Sequence, residues 1–266
     1  SQVRPPPRPA EMIRWHTDIS ALGQHARHLF RSLNDTFLLD GRQITHDQIS
    51  DVILVPADGK NYYVKRYSLA GKYLRRFLGR PRVVAEWRNL LLFARWGIPT
   101  AQVVAYGLER FVGLVFRRGA LVTEEIQGTV DLARMVRNRD PRLRQRAFVS
   151  ALITQVAAIA RALHDHRFAH NDLHWRNLLL QEQSGRVYLI DCPGGRFWFG
   201  PLLSYRVAKD LAALDRTART CLTRTQRLRF YLEYSQKTRL DEADKRAIRY
   251  VMHAAEHRQK RKQRPA

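Results

Sequence analysis

Cysteine is scarce in this chain. The 266 residues include two cysteines, Cys192 and Cys221, which cannot form the multi-bridge framework of a small secreted domain. A reduced, cytosolic setting is therefore expected. The spacing of cysteines and histidines repeats no zinc-ligand pattern, which argues against a metal site built from them.

Long apolar runs are also missing. The longest apolar stretch, residues 151–163, is interrupted by Thr154, Gln155 and Arg161, whereas a membrane-spanning helix needs about 20 predominantly apolar residues. No transmembrane segment is expected. Residues 1–10 are rich in proline and arginine, which predicts an extended, poorly ordered lead-in, and no secretory signal is expected.

Acidic residues are few. The chain has 24 Asp and Glu against 47 Lys and Arg, and its formal net charge is +23. Such a charge attracts polyanions, among which nucleic acid, an anionic membrane and a phosphorylated glycolipid all qualify. The sequence contains no helix-turn-helix, zinc or RNA-binding motif, so nucleic acid is not expected as a partner.

Basic residues cluster in three places. Residues 65–82 interleave Lys and Arg with aromatic and aliphatic residues, as in a segment that lies on an anionic membrane, although a helix packed on the core explains the same pattern. The basic residues within 258–264 are interpreted first as a solvated tail and second as a membrane anchor. The arginines within 216–234 either line an acceptor cleft or form a solvated helix face. These are Arg216, Arg219, Arg224, Arg227 and Arg229.

The most informative motif is HNDLHWRN at residues 170–177, followed by Asp191. An Asp and an Asn five residues apart, with a second Asp after an apolar run, is the arrangement of a kinase-type phosphotransferase. In that interpretation Asp172 orients and deprotonates an acceptor hydroxyl, while Asn177 and Asp191 hold Mg²⁺ on the phosphates of ATP. The alternative is a solvated turn that contains these residues by coincidence.

The flanking sequence supports the motif. Residues 144–164 repeat apolar positions at steps of three and four, which predicts a helix with one buried face. After the polar loop, residues 178–180 and 187–190 read as two short strands joined by a turn at 183–185. This order places Asp191 just after an apolar strand, next to the core and open to a cleft, as suits a metal ligand.

A lysine and a glutamate of the kind that kinases pair occur upstream. Residues 51–55 and 62–67 read as strands joined by a turn, and Lys65 follows a β-branched residue in the second strand, as in the kinase V-A-I-K pattern. Residues 83–95 read as a helix that carries Glu86, 21 positions after Lys65. The pair would direct Lys65 at the α- and β-phosphates of ATP.

Within the kinase superfamily, the chain resembles the bacterial lipopolysaccharide core kinases of the Kdo/WaaP type, which phosphorylate heptose or Kdo sugars. The two-lobed kinase pattern covers about residues 35–235. The segments that carry the resemblance are 85–107, 121–128, 170–180, 189–192, 204–216 and 221–234.

The resemblance implies an α+β, two-lobed protein-kinase-like fold, with a small antiparallel sheet and one main helix in the N-lobe and a larger, mostly helical C-lobe. The length suits one such unit. The expected division is a lead-in at 1–34, a nucleotide-binding N-lobe at 35–124, a catalytic C-lobe at 125–250 and a basic tail at 251–266.

The resemblance also implies roles for individual residues. Asp172 matches the catalytic base, Asn177 and Asp191 match the Mg²⁺ ligands, and Lys65 with Glu86 matches the phosphate-positioning pair. The hinge at residues 123–126 would bind adenine through backbone groups, with Glu124 and Ile126 as its contacts. Asp210 matches the buried carboxylate that braces the catalytic loop. His174, two residues after Asp172, either contacts substrate or phosphate, or packs the loop.

The chain departs from the protein-kinase pattern in several places. The loop at 44–50, aligned with the glycine-rich lid, has no glycine, which makes close approach to a phosphate harder. Asn171 replaces the arginine that binds an activation-loop phosphate, and Pro193 stiffens a point that flips in regulated kinases. Asp191 and Asp210 are 19 positions apart, which leaves little room for a peptide-binding platform. A constantly active kinase with a small or sugar acceptor is expected.

The function expected from these observations is an ATP- and Mg²⁺-dependent sugar kinase acting on a heptose or Kdo of the lipopolysaccharide core. Its partners would be the lipid A-core glycolipid and the anionic inner face of the cytoplasmic membrane, where it would be peripheral. The alternative is a kinase-fold phosphotransferase acting on a protein or another small molecule. The basic charge disfavours cationic antibiotics, and the short segment after Asp191 disfavours proteins. A purely binding protein would have no use for the complete set of kinase residues.

Overall fold

A computed structural model describes residues 12–46, 50–68, 81–111 and 115–263, with side chains described as far as Met252. The chain divides into two compact units. Unit 1 comprises the described residues up to Leu91 together with Ala101–Glu125, and unit 2 comprises Leu92–Thr100 and the described residues from Ile126 onward.

Unit 1 is built on a six-stranded antiparallel sheet in the order β1-β5-β6-β4-β3-β2. Its strands are β1 (Met12–Thr17), β2 (Arg42–His46), β3 (Ser50–Ala57), β4 (Lys60–Ser68), β5 (Val103–Phe111) and β6 (Val115–Glu124). A two-residue turn joins β3 to β4, and both of its residues, Asp58 and Gly59, have positive φ, at 51° and 73°. An Asp-Gly turn with this geometry matches the twist of a hairpin.

The main helix associated with unit 1 is α3 (Arg82–Arg95). Its buried apolar side includes Val83, Trp87 and Leu90, so most of the helix is fixed by packing. Gly97 ends it with a φ of 71°, a left-handed conformation that favours glycine. The helix predicted over residues 83–95 is therefore present with nearly the same bounds.

The predicted lead-in at 1–34 requires a correction. Residues 12–17 form β1, which pairs with β5 from Met12↔Arg110 to Thr17↔Ala105, and α1 (Gln24–Leu29) and α2 (Leu33–Leu38) follow. Phe30 is fully buried. Asp58 accepts from the N–H groups of His25 and Ala26, at 3.3 and 2.8 Å, and so caps α1. These contacts join distant parts of the sequence, which local composition does not reveal.

Unit 2 is mostly helical. Its helices are α4 (Leu132–Arg137), α5 (Arg146–Asp165), α6 (Gly200–Cys221), α7 (Arg224–Ser235) and α8 (Glu242–Gln263). Its strands are short: β7 (Thr129–Asp131), β8 (Phe168–Ala169), β9 (Leu178–Gln181), β10 (Val187–Leu189) and β11 (Arg196–Phe197). They form a three-stranded sheet, β10-β9-β7, and a two-stranded ribbon, β11-β8.

Helix α5 forms the centre of unit 2. By length and composition alone it could cross a membrane. However, its apolar face, including Leu152, Val156, Ile159 and Leu163, is buried in the unit, which identifies it as a core helix. The helix predicted over 144–164 is therefore present, and its C-terminal end leads into β8 and the 170–177 loop.

Several predictions fall partly outside the described residues. Residues 47–49 of the proposed lid and residues 69–80 of the basic segment are not described, nor are the side chains of 258–264. The predicted tail at 251–266 requires a correction because the backbone of α8 continues to Gln263, so no boundary occurs at residue 251.

Candidate active site

The 170–177 loop connects β8 to β9 in unit 2 and is anchored by apolar side chains. Leu173 and Trp175 are buried, and Trp175 Nε1 donates to the backbone oxygen of Leu214 at 3.0 Å. Asp172 lies in the sequence between these anchors and the buried His170. Its side chain remains 38% exposed. Packing therefore fixes the loop while it leaves the Asp172 carboxylate accessible.

Three side chains of the same loop surround that carboxylate. Arg176 Nη2 donates to Asp172 Oδ2 at 2.6 Å, and His174 Nε2 lies 3.2 Å from Asp172 Oδ1. Asn177 Nδ2 donates to the Asp172 carbonyl at 2.8 Å and to Oδ2 at 3.2 Å. The predicted base is thus held in one orientation by its neighbours.

Asp191 is brought next to Asn177 by the β9–β10 hairpin. Leu178 and Leu189 are register partners, and the N–H of Ile190 donates to the carbonyl of Asn177 at 2.9 Å. Asp191 follows with a φ of 58°, a conformation that non-glycine residues seldom adopt and that the surrounding structure must maintain. The two predicted metal ligands therefore lie at adjacent points of one hairpin.

These two side chains are chemically suited to Mg²⁺. A carboxylate and an amide oxygen are hard oxygen ligands, which Mg²⁺ prefers and usually supplements with water and substrate phosphates. Because the Nδ2 of Asn177 is engaged by Asp172, its amide oxygen is oriented away from that residue. The residues present fit the ion expected of a kinase.

A buried carboxylate supports the loop from α6. Asp210 Oδ2 accepts from the N–H of His170 at 2.7 Å, and His164 Nε2 lies 3.5 Å from the same oxygen. His164 Nδ1 and the hydroxyl of Tyr234 are 2.9 Å apart. A chain of polar contacts thus runs from α7 through α5 and α6 to the loop.

His170 is fully buried and packs against Phe93, with ring centroids 6.1 Å apart. Burial lowers the pKa of His170 below its usual range, against the opposing effect of the carboxylates of Asp210, Asp172 and Asp191. A neutral imidazole is the form that suits this apolar position.

In unit 1, Lys65 and Glu86 form the predicted ion pair, with Nζ 2.9 Å from Oε1. Glu86 also accepts from the hydroxyl of Tyr67. Burial raises the pKa of Tyr67 above its usual range, and the charge of Glu86 raises it further. Tyr67 therefore stays protonated and donates to Glu86. Glu86 is held by Tyr67 and by Lys65, and the ion pair restricts the position of Lys65 in turn.

The predicted hinge uses some of its backbone groups internally. The N–H of Glu124 donates to Gln102 O at 2.9 Å, and the N–H of Glu125 donates to Asn61 O at 2.8 Å. For the N–H of Ile126, the structure shows no hydrogen bond within the described part of the chain. Of these three amides, that of Ile126 is therefore the one open to a nucleotide.

Residues 39–234 match the model of the lipopolysaccharide kinase (Kdo/WaaP) family. A 3-deoxy-D-manno-octulosonic acid kinase from Actinobacillus succinogenes is 28% identical over 190 residues, which cover 66% of this chain and 72% of the relative. A solved structure of WaaP in complex with acyl carrier protein aligns with a TM-score of 0.69 at 25% identity and covers 92% of this chain and 98% of that chain.

The chain belongs to the lipopolysaccharide kinase (Kdo/WaaP) family. It is accordingly a kinase, a phosphotransferase with a hydroxyl acceptor. The predicted kinase-like fold is confirmed by the structural match, and the family implies that the enzyme uses ATP. The roles of the individual site residues are predictions that the geometry makes specific.

Three residues that support the predicted site were not identified from the sequence. Arg176 is one of them, although it lies within the motif itself, four residues after Asp172. His164 and Tyr234 lie on α5 and α7 and approach Asp210 only in the folded chain, so spacing gave no signal for them. The arginines within 216–234 are partly neutralised, because Arg219 and Arg227 both pair with Asp215, at 2.6 and 2.8 Å.

Proposed function

We propose that this kinase transfers the γ-phosphoryl group of Mg-ATP to a hydroxyl of Kdo in the lipopolysaccharide inner core. The observation that carries the proposal is the arrangement of Asp172 with Asn177 beside Asp191, in a chain of the Kdo/WaaP family. The choice of Kdo is supported by the Kdo kinase relative, whose alignment covers 66% of this chain.

Asp172 is the proposed base. Its Oδ2 accepts from Arg176 and Asn177, which fix the direction in which the carboxylate faces the acceptor hydroxyl. In kinases the corresponding Asp accepts the hydroxyl proton as the oxygen attacks phosphorus in line. His174, 3.2 Å from Oδ1, restrains the other oxygen. The loop thus supplies a carboxylate whose position is set before substrate arrives.

The remaining residues bind the nucleotide. Lys65, oriented by Glu86 and Tyr67, is proposed to contact the α- and β-phosphates, and the backbone at Glu124 and Ile126 to contact adenine. Asn177 and Asp191 would hold Mg²⁺, which neutralises negative charge on the phosphates. Because positioning and charge neutralisation supply most of the catalysis of phosphoryl transfer, no covalent intermediate is required.

The acceptor determines where the enzyme works. A lipid A-core glycolipid is embedded in a membrane, and ATP is cytosolic, so we place the enzyme in the cytoplasm as a peripheral protein on the inner face of the cytoplasmic membrane. The net charge of +23 favours association with anionic lipid.

The test is transfer of labelled γ-phosphate from Mg-ATP to soluble, deacylated core oligosaccharides. One acceptor carries a phosphate-free Kdo and no heptose, and a second carries dephosphorylated heptose on a Kdo that is already phosphorylated. We expect label on Kdo with the wild type, none with Asp172→Ala, and normal transfer with Asp165→Ala, which removes an exposed Asp from α5 in the same unit.

The outcomes separate the candidate acceptors. Label on heptose alone would retain the core kinase and reject Kdo as its acceptor. Label on neither sugar, with label on a generic protein offered in parallel as a third acceptor, would reject the core sugar altogether. Transfer by Asp172→Ala at the wild-type rate would remove Asp172 from the reaction.

A further inference from the structure

An exposed apolar surface lies at the junction of β11 and α6 in unit 2. It consists of three large side chains, one at the N-cap of α6 and two more at steps of three residues along the helix. Each is in contact with water. Phe199 is 65% exposed, Leu202 58% and Tyr205 41%. Exposed apolar side chains grouped in this way mark a site of interaction with a protein, a ligand or a membrane. We call these three residues the β11–α6 surface.

Basic side chains border this surface. The guanidinium of Arg167 lies 6.0 Å from the ring of Phe199, and Lys209 Nζ lies 5.2 Å from the ring of Tyr205. Arg206 is 5.8 Å from the same ring. Residues 192–209 include no Asp or Glu, so no carboxylate of this segment offsets the positive charge.

The surface is fixed relative to the 170–177 loop. Strand β11 pairs with β8 through Arg196↔Ala169, next to the start of the loop. Asn171 is a second link between the loop and the surface, because its Nδ2 donates to Gly194 O at 2.8 Å and its Oδ1 accepts from Arg206 at 3.4 Å. Asn171 directly precedes Asp172, so whatever binds this surface is held close to the proposed base.

We propose that the β11–α6 surface docks on an anionic lipid bilayer. Phe199 and Leu202 enter the boundary between headgroups and acyl chains, and Arg167 and Lys209 face the anionic headgroups, while Arg206 adds positive charge from its position between Trp198 and Asn171. A mixed aromatic, aliphatic and basic surface is what an anionic membrane binds. The inference rests on the proposed function for the reason to approach a membrane, since docking here presents the catalytic loop to a lipid-linked acceptor.

Phe197, although 46% exposed, is not part of the proposed contact. Its ring packs against Phe168 at 5.4 Å and Trp96 at 5.9 Å, so it contributes to the fold of unit 2. Phe199 and Leu202 are more exposed than Phe197 and are the side chains to change.

The position of these two residues permits a variant that keeps α6 intact. Phe199 is the N-cap of α6 and makes no side-chain capping bond, and Leu202 is three residues later. The double variant Phe199→Ser/Leu202→Gln replaces two exposed apolar side chains with polar ones and changes no buried residue. The matched control is Leu38→Ser, which removes an 81% exposed leucine from unit 1.

The experiment is co-sedimentation with vesicles of phosphatidylglycerol and phosphatidylcholine, compared with vesicles of phosphatidylcholine alone. We expect the wild type and Leu38→Ser to bind the anionic vesicles in a salt-sensitive manner. The double variant should bind at least about tenfold more weakly, because two apolar side chains no longer leave water. Equal binding of the double variant, or no binding of the wild type, would overturn the proposed surface.

A second measurement separates this inference from the proposed function. Both variants should phosphorylate the soluble, deacylated acceptor as the wild type does, while the double variant loses activity on the same acceptor embedded in anionic vesicles. Failure of all three proteins on the soluble acceptor would reject the proposed function without bearing on vesicle binding. Reduced activity of the double variant on the soluble acceptor would assign the surface to sugar binding instead of membrane docking.

Discussion

The carboxylate of Asp210 accepts a hydrogen bond from the backbone N–H of His170 at 2.7 Å. The donor directly follows β8 and the acceptor lies on α6, 40 residues later in the chain. Both groups are buried, so the bond is protected from competition with water. Through this bond, α6 fixes the start of the loop that carries Asp172. The same helix follows the short segment after Asp191.

We predict that Asp210→Ala destabilises unit 2 and abolishes transfer. The substitution leaves the N–H of His170 without an acceptor in a buried position and removes the partner of His164, which together cost about 2–4 kcal/mol in the free energy of unfolding. Urea unfolding and the transfer assay measure the two effects. The control is Asp165→Ala, which removes an exposed carboxylate from the same unit. Unchanged stability of Asp210→Ala would contradict the bracing role.

The buried histidine predicts a dependence of stability on pH. Because burial lowers the pKa of His170 in the folded protein, the unfolded chain binds a proton at this residue below about pH 6.5 that the folded chain does not. The free energy of unfolding contributed by neutral His170 is therefore complete above about pH 6.5. It is lost as the pH falls from there towards the lowered pKa of the folded protein, by up to about 1.4 kcal/mol per pH unit.

His170→Gln isolates this contribution, because glutamine does not titrate and the other histidines remain. We expect the wild type to lose more unfolding free energy than the variant when urea titrations at about pH 7.5 and 5.5 are compared. The variant is less stable at both values because it fills the site beside Phe93 poorly. Parallel loss in the two proteins would show that His170 does not titrate differently in the folded and unfolded chain.

The pair formed by Lys65 and Glu86 predicts a nucleotide-dependent loss of activity. Lys65→Met removes the charge proposed for the phosphates, and kcat/KM for ATP should fall about 100- to 1000-fold. Glu86→Gln should produce a smaller loss, because the amide still accepts from Tyr67 but attracts Lys65 less. The matched control is Lys60→Met, which breaks an exposed pair with Glu124 and should alter stability by less than about 1 kcal/mol. Equal kinetics of Lys65→Met and Lys60→Met would exclude Lys65 from phosphate binding.

The sequence predicted those parts of the enzyme that are encoded locally. Asp172, Asn177 and Asp191 belong to one motif, and Lys65 and Glu86 lie in elements whose apolar periodicity is clear. Helix α5 was likewise predicted to within two residues because one of its faces is continuously apolar. In each case the information lies within a short, continuous part of the chain.

The parts that the sequence did not predict depend on contacts between distant residues. Strand β1 and helices α1 and α2 have six residues each, too few for a strong periodic signal, and they are held by partners such as Asp58 that lie further along the chain. The exposure of Phe199 and Leu202 was equally hidden, because an apolar residue in a sequence is normally taken to be buried. Only the folded chain distinguishes these residues from core.

We predict that Asp191→Ala weakens the binding of Mg-ATP and raises the Mg²⁺ concentration needed for half-maximal transfer. The hairpin places Asp191 beside Asn177, and removal of the carboxylate leaves the neutral amide as the remaining proposed ligand, so we expect affinity for Mg-ATP to fall at least about tenfold. Calorimetry with ATP in the presence and absence of Mg²⁺ separates the metal-dependent part from binding of the nucleotide itself. Asp191→Gly is the companion variant, since glycine tolerates the φ of 58°. Equal loss of Mg²⁺-dependent affinity in both variants would assign the effect to the missing carboxylate, whereas a loss confined to Asp191→Ala would assign it to backbone strain.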